Sequence, residues 1–136
     1  MAKSWLFKTE PSSYSFGDLE AEGRTVWDGV RNALARKHLA MVQRGDEVLV
    51  YHTGDEKAVV GVARAVSDTR PDPADGKLLV VDLVPVRRLA SAVTLAAVKA
   101  NPELRSFPLV RLPRLSVMPV SAAERAELEK LEKRAT

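Results

Sequence analysis

The chain contains no cysteine, which excludes disulfides, thiolate nucleophiles and zinc sites built on sulfur. Aromatic residues are scarce at 5%, with two Trp, two Tyr and three Phe, so the position of each one is informative. The only two histidines, His38 and His52, are far apart and suggest no metal-ligand set; His38, on an apolar helix stripe, reads as a core histidine. There is no Gly-rich phosphate loop and no Gly-x-Ser-x-Gly elbow. No apolar run approaches a membrane span. The start Met1-Ala2-Lys3-Ser4-Trp5 has none of the layout of a secretory leader. These absences lead to the expectation of a cytoplasmic protein with no cofactor, no metal and no membrane partner. The carboxylate pairs Asp46-Glu47 and Asp55-Glu56 fall at a strand start and in a turn, where solvated charge is ordinary, so no general acid or base stands out. A binding module is favoured over an enzyme.

What is present suits one compact domain, with 136 residues and 46% hydrophobic content. The net charge of +3 is unevenly placed. Residues 24–44 carry Arg24, Arg31, Arg36, Lys37 and Arg44 against Asp28 alone. Residues 87–114 carry Arg87, Arg88, Lys99, Arg105, Arg111 and Arg114 against Glu103 alone. Two basic stretches that converge on one face would meet a phosphate backbone; the alternative is that they are solvated helix faces and loops.

Local chemistry predicts the elements. Ser4 to Thr9 reads as a strand stopped by Glu10-Pro11. Ser15 with Asp18 opens a short helix that ends near Gly23. Arg24 to Trp27 is β-like. Residues 31–42 read as a helix with Leu34, His38 and Met41 on its apolar stripe. Asp46 to Thr53 and Ala58 to Ser67 form a hairpin, and Gly61 inside the second strand marks a bulge or a close backbone approach. Residues 68–77 are a loop, Leu78 to Arg88 a long strand with a bulge or edge at Pro85, and Thr94 to Ala100 a helix. Arg114 to Met118 is strand-like, and Ser121 with Glu124 caps a last helix. The layout is a mixed α/β (α+β) domain whose five or six short strands close into a barrel.

One stretch concentrates the functional signal: Val26-Trp27-Asp28-Gly29-Val30-Arg31-Asn32. An aromatic plate, a tight turn, and guanidinium and amide groups at the mouth of a basic helix form a kit for holding a flat polar ring such as a nucleobase. The plainer reading is a core tryptophan followed by an ordinary Asp-Gly turn.

That stretch, together with Trp5-Leu6-Phe7-Lys8-Thr9-Glu10-Pro11 and Tyr51-His52-Thr53, resembles the EVE domain, a PUA-like family related to YTH domains. Val60-Gly61-Val62-Ala63 and Arg114-Leu115-Ser116-Val117-Met118 extend the match over nearly the whole chain. The resemblance implies a PUA-like small β-barrel with peripheral helices. It also implies a reader of modified bases such as 5-modified cytosine in DNA, with RNA ligands also in range. Carried over position by position, it nominates Lys8, Thr9, Trp27, Asn32, Tyr51, His52, Arg114 and Ser116 as ligand-binding, with Arg31, Arg36 and Lys37 as phosphate contacts. A flipped base needs a stacking surface and hydrogen bonds to its edge; Trp27 offers the first, and Asn32, Thr9, His52 and Ser116 the second. For each polar residue the alternative is a structural hydrogen bond within the barrel. The chain departs from the family at Ala33, Leu34 and Met118 and in its short loop near Asp72, which implies a pocket smaller, more apolar or more open than in relatives. The partner expected is nucleic acid, DNA or RNA, bound by a monomer that acts alone or with a partner enzyme. The competing readings are a PUA-type RNA-binding module without modified-base selectivity and a nucleoside or small-molecule sensor.

Overall fold

The computed structural model describes residues 2–135. In chain order the elements are β1 (Ser4–Thr9), α1 (Phe16–Glu22), β2 (Thr25–Trp27), α2 (Ala33–Leu39), β3 (Glu47–His52), β4 (Ala58–Ala65), β5 (Arg70–Pro71), β6 (Leu79–Thr94), α3 (Leu95–Ala100), α4 (Pro108–Arg111), β7 (Val117–Val120) and α5 (Ala122–Ala135). The sheet runs β2-β6-β4-β3-β1-β7, and β5 pairs with β6 off that path. It curls into a half-barrel in a mixed α+β fold. Its end strands β2 and β7 are not paired with each other, so the curl is open along that seam.

β1 and β3 pair in parallel with Lys8 opposite Tyr51 and Thr9 opposite His52. β3 lies between β1 and β4 and buries Val48 through His52 on both faces, as its continuous apolar run requires. Helix α1 begins at a reciprocal capping box between Ser15 and Asp18 and stops at Gly23, whose φ of 76° is left-handed. It buries Phe16 directly over Gly61: a Cβ at that glycine would stand 2.5 Å from the Phe16 ring. Gly61 is thus a close approach, and the β4–β6 register also shifts on either side of it. Helix α5 starts at the expected cap, with Ser121 N–H donating to Glu124 and Glu124 N–H to Ser121 Oγ.

Several expectations change: the helix read over 31–42 is α2 at Ala33–Leu39, the strand read over 114–118 is β7 at Val117–Val120, and His38 is half-buried at the surface of a cleft rather than in the core. The buried face of α2 is Ala35 and Leu39, continued by Val42, whereas Leu34 is 41% and Met41 53% exposed. The helical period was right and its phase one position off, because the helix packs against β7 through the small Ala35 side. β6 continues past Arg88 to Thr94, because Val93 and Thr94 find partners in Val59 and Ala58. Asp46 is buried rather than solvated: its carboxylate accepts from Lys3 N–H at 3.1 Å, Trp5 Nε1–H at 2.9 Å and Gln43 N–H at 3.0 Å. A buried carboxylate needs such donors. Glu47 beside it accepts from Ser4 Oγ and from Arg125 of α5.

Candidate functional site

A cleft of about 480 Å³ opens where the end of β1 faces β2, lined by Lys8, Thr9, Tyr14, Thr25, Trp27 and Asp28 among others. Its back wall is aromatic. Trp27, the last residue of β2, leans on Phe7 with centroids 5.6 Å apart and planes at 53°. Tyr14 meets Trp27 edge-on at 6.2 Å and 87°, a favoured geometry for aromatic quadrupoles. The two rings form a right-angled corner. Trp27 is 8% exposed, so a strip of indole rather than a full face reaches the cleft.

Tyr14 is held there from both ends. The Thr9 hydroxyl donates to the Tyr14 carbonyl at 2.6 Å, and the Tyr14 hydroxyl bonds the Glu22 carboxylate. Burial, and then that carboxylate, push the phenol above its ordinary pKa. Lys8 forms the far wall. Its Nζ donates to the Pro113 carbonyl at 2.8 Å and sits 5.5 Å from the centre of the Tyr51 ring. Burial lowers its pKa, since desolvation disfavours the ammonium. Lys8 N–H also donates to the Ser116 carbonyl at 2.9 Å, which ties β1 to the turn ahead of β7.

Beyond Pro113 lies a second cleft of about 320 Å³, lined by Asn32, Leu34, Arg111, Leu112, Pro113 and Arg114 with Leu115. Asn32 caps α2: its Oδ1 accepts from Ala35 N–H at 3.0 Å.

The nominated residues therefore divide. Lys8, Thr9 and Trp27 meet in the first cleft, while Asn32 and Arg114 line the second. Tyr51 is buried beneath Lys8. His52 is not brought to either cleft. Its Nε2 accepts from Phe16 N–H at 3.0 Å, and its Nδ1 lies 2.7 Å from Glu56 Oε1. Acceptance at Nε2 puts the proton of the neutral ring on Nδ1, which donates to Glu56; His52 thus holds the start of α1. Ser116 is half-buried and supplies its carbonyl. Arg31 and Lys37 are exposed, whereas Arg36 turns towards the Lys77 carbonyl at 3.3 Å and leaves its Nε buried without a hydrogen bond.

Tyr14 and Asp28 line the cleft although neither was nominated as ligand-binding. The scarcity of aromatics was the available signal for Tyr14, and the i,i+4 spacing of His52 and Glu56 the signal for that pair. Arg24, Arg70, Arg87, Arg88 and Arg125 all face carboxylates. Among the described residues Arg31, Arg111 and Arg114 form no ion pair. Among the described residues no group of three or more His, Asp or Glu gathers to hold a metal. A larger, mostly apolar cleft of about 970 Å³ lies at the other end of β1, lined by Trp5, His38, Met41, Pro119 and Ala122 among others. It contains none of the nominated residues, and the chemistry favours the smaller clefts.

A family model described as the EVE domain matches residues 3–131. Human thymocyte nuclear protein 1 is 28% identical over 160 aligned positions, which cover 91% of this chain and 71% of that protein. Rpa0253 from Rhodopseudomonas palustris, solved by NMR, is similar in structure with a TM-score of 0.92 and 39% identity over 99% of this chain and 96% of that one. Human THYN1 protein, crystallised in complex with 5-methylcytosine-containing DNA, has a TM-score of 0.90 and 26% identity, with coverage of 97% and 98%.

Proposed function

The chain belongs to the EVE domain family, and from that premise we propose that it binds nucleic acid and takes a modified base, such as a 5-modified cytosine flipped out of its stack, into the cleft beside Trp27. The observation that carries the reading is the aromatic corner of Trp27 and Tyr14 in a cleft that Lys8 and Asp28 also line. A cytosine edge presents an exocyclic amine that donates and ring positions that accept. Asp28 supplies the acceptor and the Lys8 ammonium a donor. The apolar angle between the two rings suits a methyl substituent. The similarity to human THYN1 protein in complex with 5-methylcytosine-containing DNA points the same way. Because Trp27 offers only a strip of its ring, its contact belongs at the low end of the roughly 1–3 kcal/mol that base–aromatic stacking contributes.

That same burial favours a second reading, a PUA-type RNA-binding module that ignores the modification. One titration separates the two. Matched oligonucleotides with cytosine, 5-methylcytosine or 5-hydroxymethylcytosine, as DNA and as RNA, are titrated against the wild type, Trp27→Phe and Tyr14→Leu. The first reading expects a preference for a modified form that both variants reduce. Equal affinity for all forms, untouched by either variant, overturns it in favour of the second. Trp27→Phe is preferred to alanine because it keeps a ring against Phe7 and so keeps the fold.

A further inference from the structure

Building on the base-binding reading, we propose that the second cleft is a subsite for the nucleotide next to the flipped one, with its base against Leu34, Leu112 and Pro113 and its phosphate on Arg111 and Arg114. Four observations support this assignment. The two clefts share a wall, because the Lys8 ammonium that lines the first bonds the Pro113 carbonyl of the second. The second cleft has two large apolar side chains in the open, Leu34 at 41% and Leu112 at 44% exposed, where a solvated helix and turn would ordinarily carry polar residues. Its charge is of one sign: Arg111 and Arg114 line it and no carboxylate does. Neither arginine is held by an ion pair among the described residues, unlike the arginines of β6. Apolar surface edged by uncommitted guanidinium groups is complementary to a stacked base with its phosphate. The volume of about 320 Å³ is at the low end for small-ligand sites and has room for one flat ring. Leu34 and Leu112 are thereby surface residues with a ligand-facing task, and the register of the strand across the domain is fixed by Arg111 and Arg114.

The experiment measures the ratio of affinities for the trinucleotide dT-(5-methyl-dC)-dT and for 5-methyl-dCMP. Wild type should prefer the trinucleotide by about tenfold or more. In Arg111→Gln and in Leu112→Ser, both exposed substitutions, the ratio should fall towards one. Arg111→Gln should also reduce the slope of log affinity against log salt by about 0.7. A ratio that survives both substitutions, while Trp27→Phe weakens both ligands, overturns the subsite and leaves the base reading standing. Failure of the wild type to bind either ligand better than its unmodified counterpart removes the modified-base reading itself. Displacement of the trinucleotide by polyglutamate at equal charge overturns the subsite in favour of an acidic peptide.

Discussion

Gly61 has no room for a single added carbon. A Cβ there would stand 2.5 Å from the Phe16 ring, and Phe16 is fully buried, so the ring cannot swing aside. Gly61→Ala should destabilise the protein by about 1–3 kcal/mol, as overpacked cores do, read as a lower urea midpoint. It should also disturb the cleft beside Trp27, since Phe16 starts the helix whose leading turn holds Tyr14. Asp46 is the opposite case, a polar group that the core requires. Asp46→Ala removes the acceptor of the buried Trp5 Nε1–H, and an orphaned buried donor costs about 1–3 kcal/mol; chemical denaturation against Asp46→Asn, which keeps one acceptor oxygen, checks it. The two residues differ in how well the sequence discloses them. A glycine within an apolar strand already signals a close approach. An aspartate at a strand start looks solvated until the three N–H groups converging on it are known, and two of them, from Lys3 and Trp5, come from more than forty residues away.

At the scale of elements, boundaries written in local chemistry were legible and those decided by partners were not. β1 and α1 end where Glu10-Pro11 and Gly23 say they must. β6 outran its expected end because its continuation is set by β4, and the phase of α2 was set by β7. The docking of α5 was equally hidden. Its buried Glu132 accepts from Arg87 Nη1 at 2.9 Å and from Ala90 N–H at 2.8 Å. The Arg87 guanidinium, aided by that N–H and opposed by burial, holds the Glu132 carboxyl below its usual pKa. A lowered folded-state pKa means that the stabilisation is present above the unfolded value of about 4.3 and is lost as pH falls through the lowered value. Asp82, between Arg24 and Arg70, is lowered in the same sense by hydrogen bonds to both. Thermal midpoints should therefore fall steeply below about pH 4.3 in the wild type and less steeply in Glu132→Gln. Glu132→Ala, which also leaves Ala90 N–H unpaired, should cost about 1–3 kcal/mol at neutral pH.

For the molecule as a whole, a net charge of +3 suits the capture of a short stretch of nucleic acid better than the coating of a duplex. If Arg31, Arg111 and Arg114 each meet one phosphate of a single strand, affinity should drop about twentyfold between 50 and 200 mM salt, from a slope of roughly −0.7 per contact; a flat salt response would exclude that mode. The grouping of the candidate site's residues was legible in part. Lys8, Thr9 and Trp27 sit in one cleft because the curl of the sheet brings β2, separated from β1 by three strands in the sheet order, against the end of β1, where Trp27 meets Phe7. Tyr14 escaped because its part depends on a right-angled contact with Trp27 rather than on sequence spacing. The sheet order has one more consequence, for the sequence of events in folding. β1, near the start of the chain, lies between β3 and β7, and its Leu6 pairs with Met118. A nascent chain cannot cover that flank of β1 until residues 117–120 have emerged. Contacts so distant in sequence slow folding, and until residues 117–120 are in place the unpaired edge of β1 is a template on which another chain can pair.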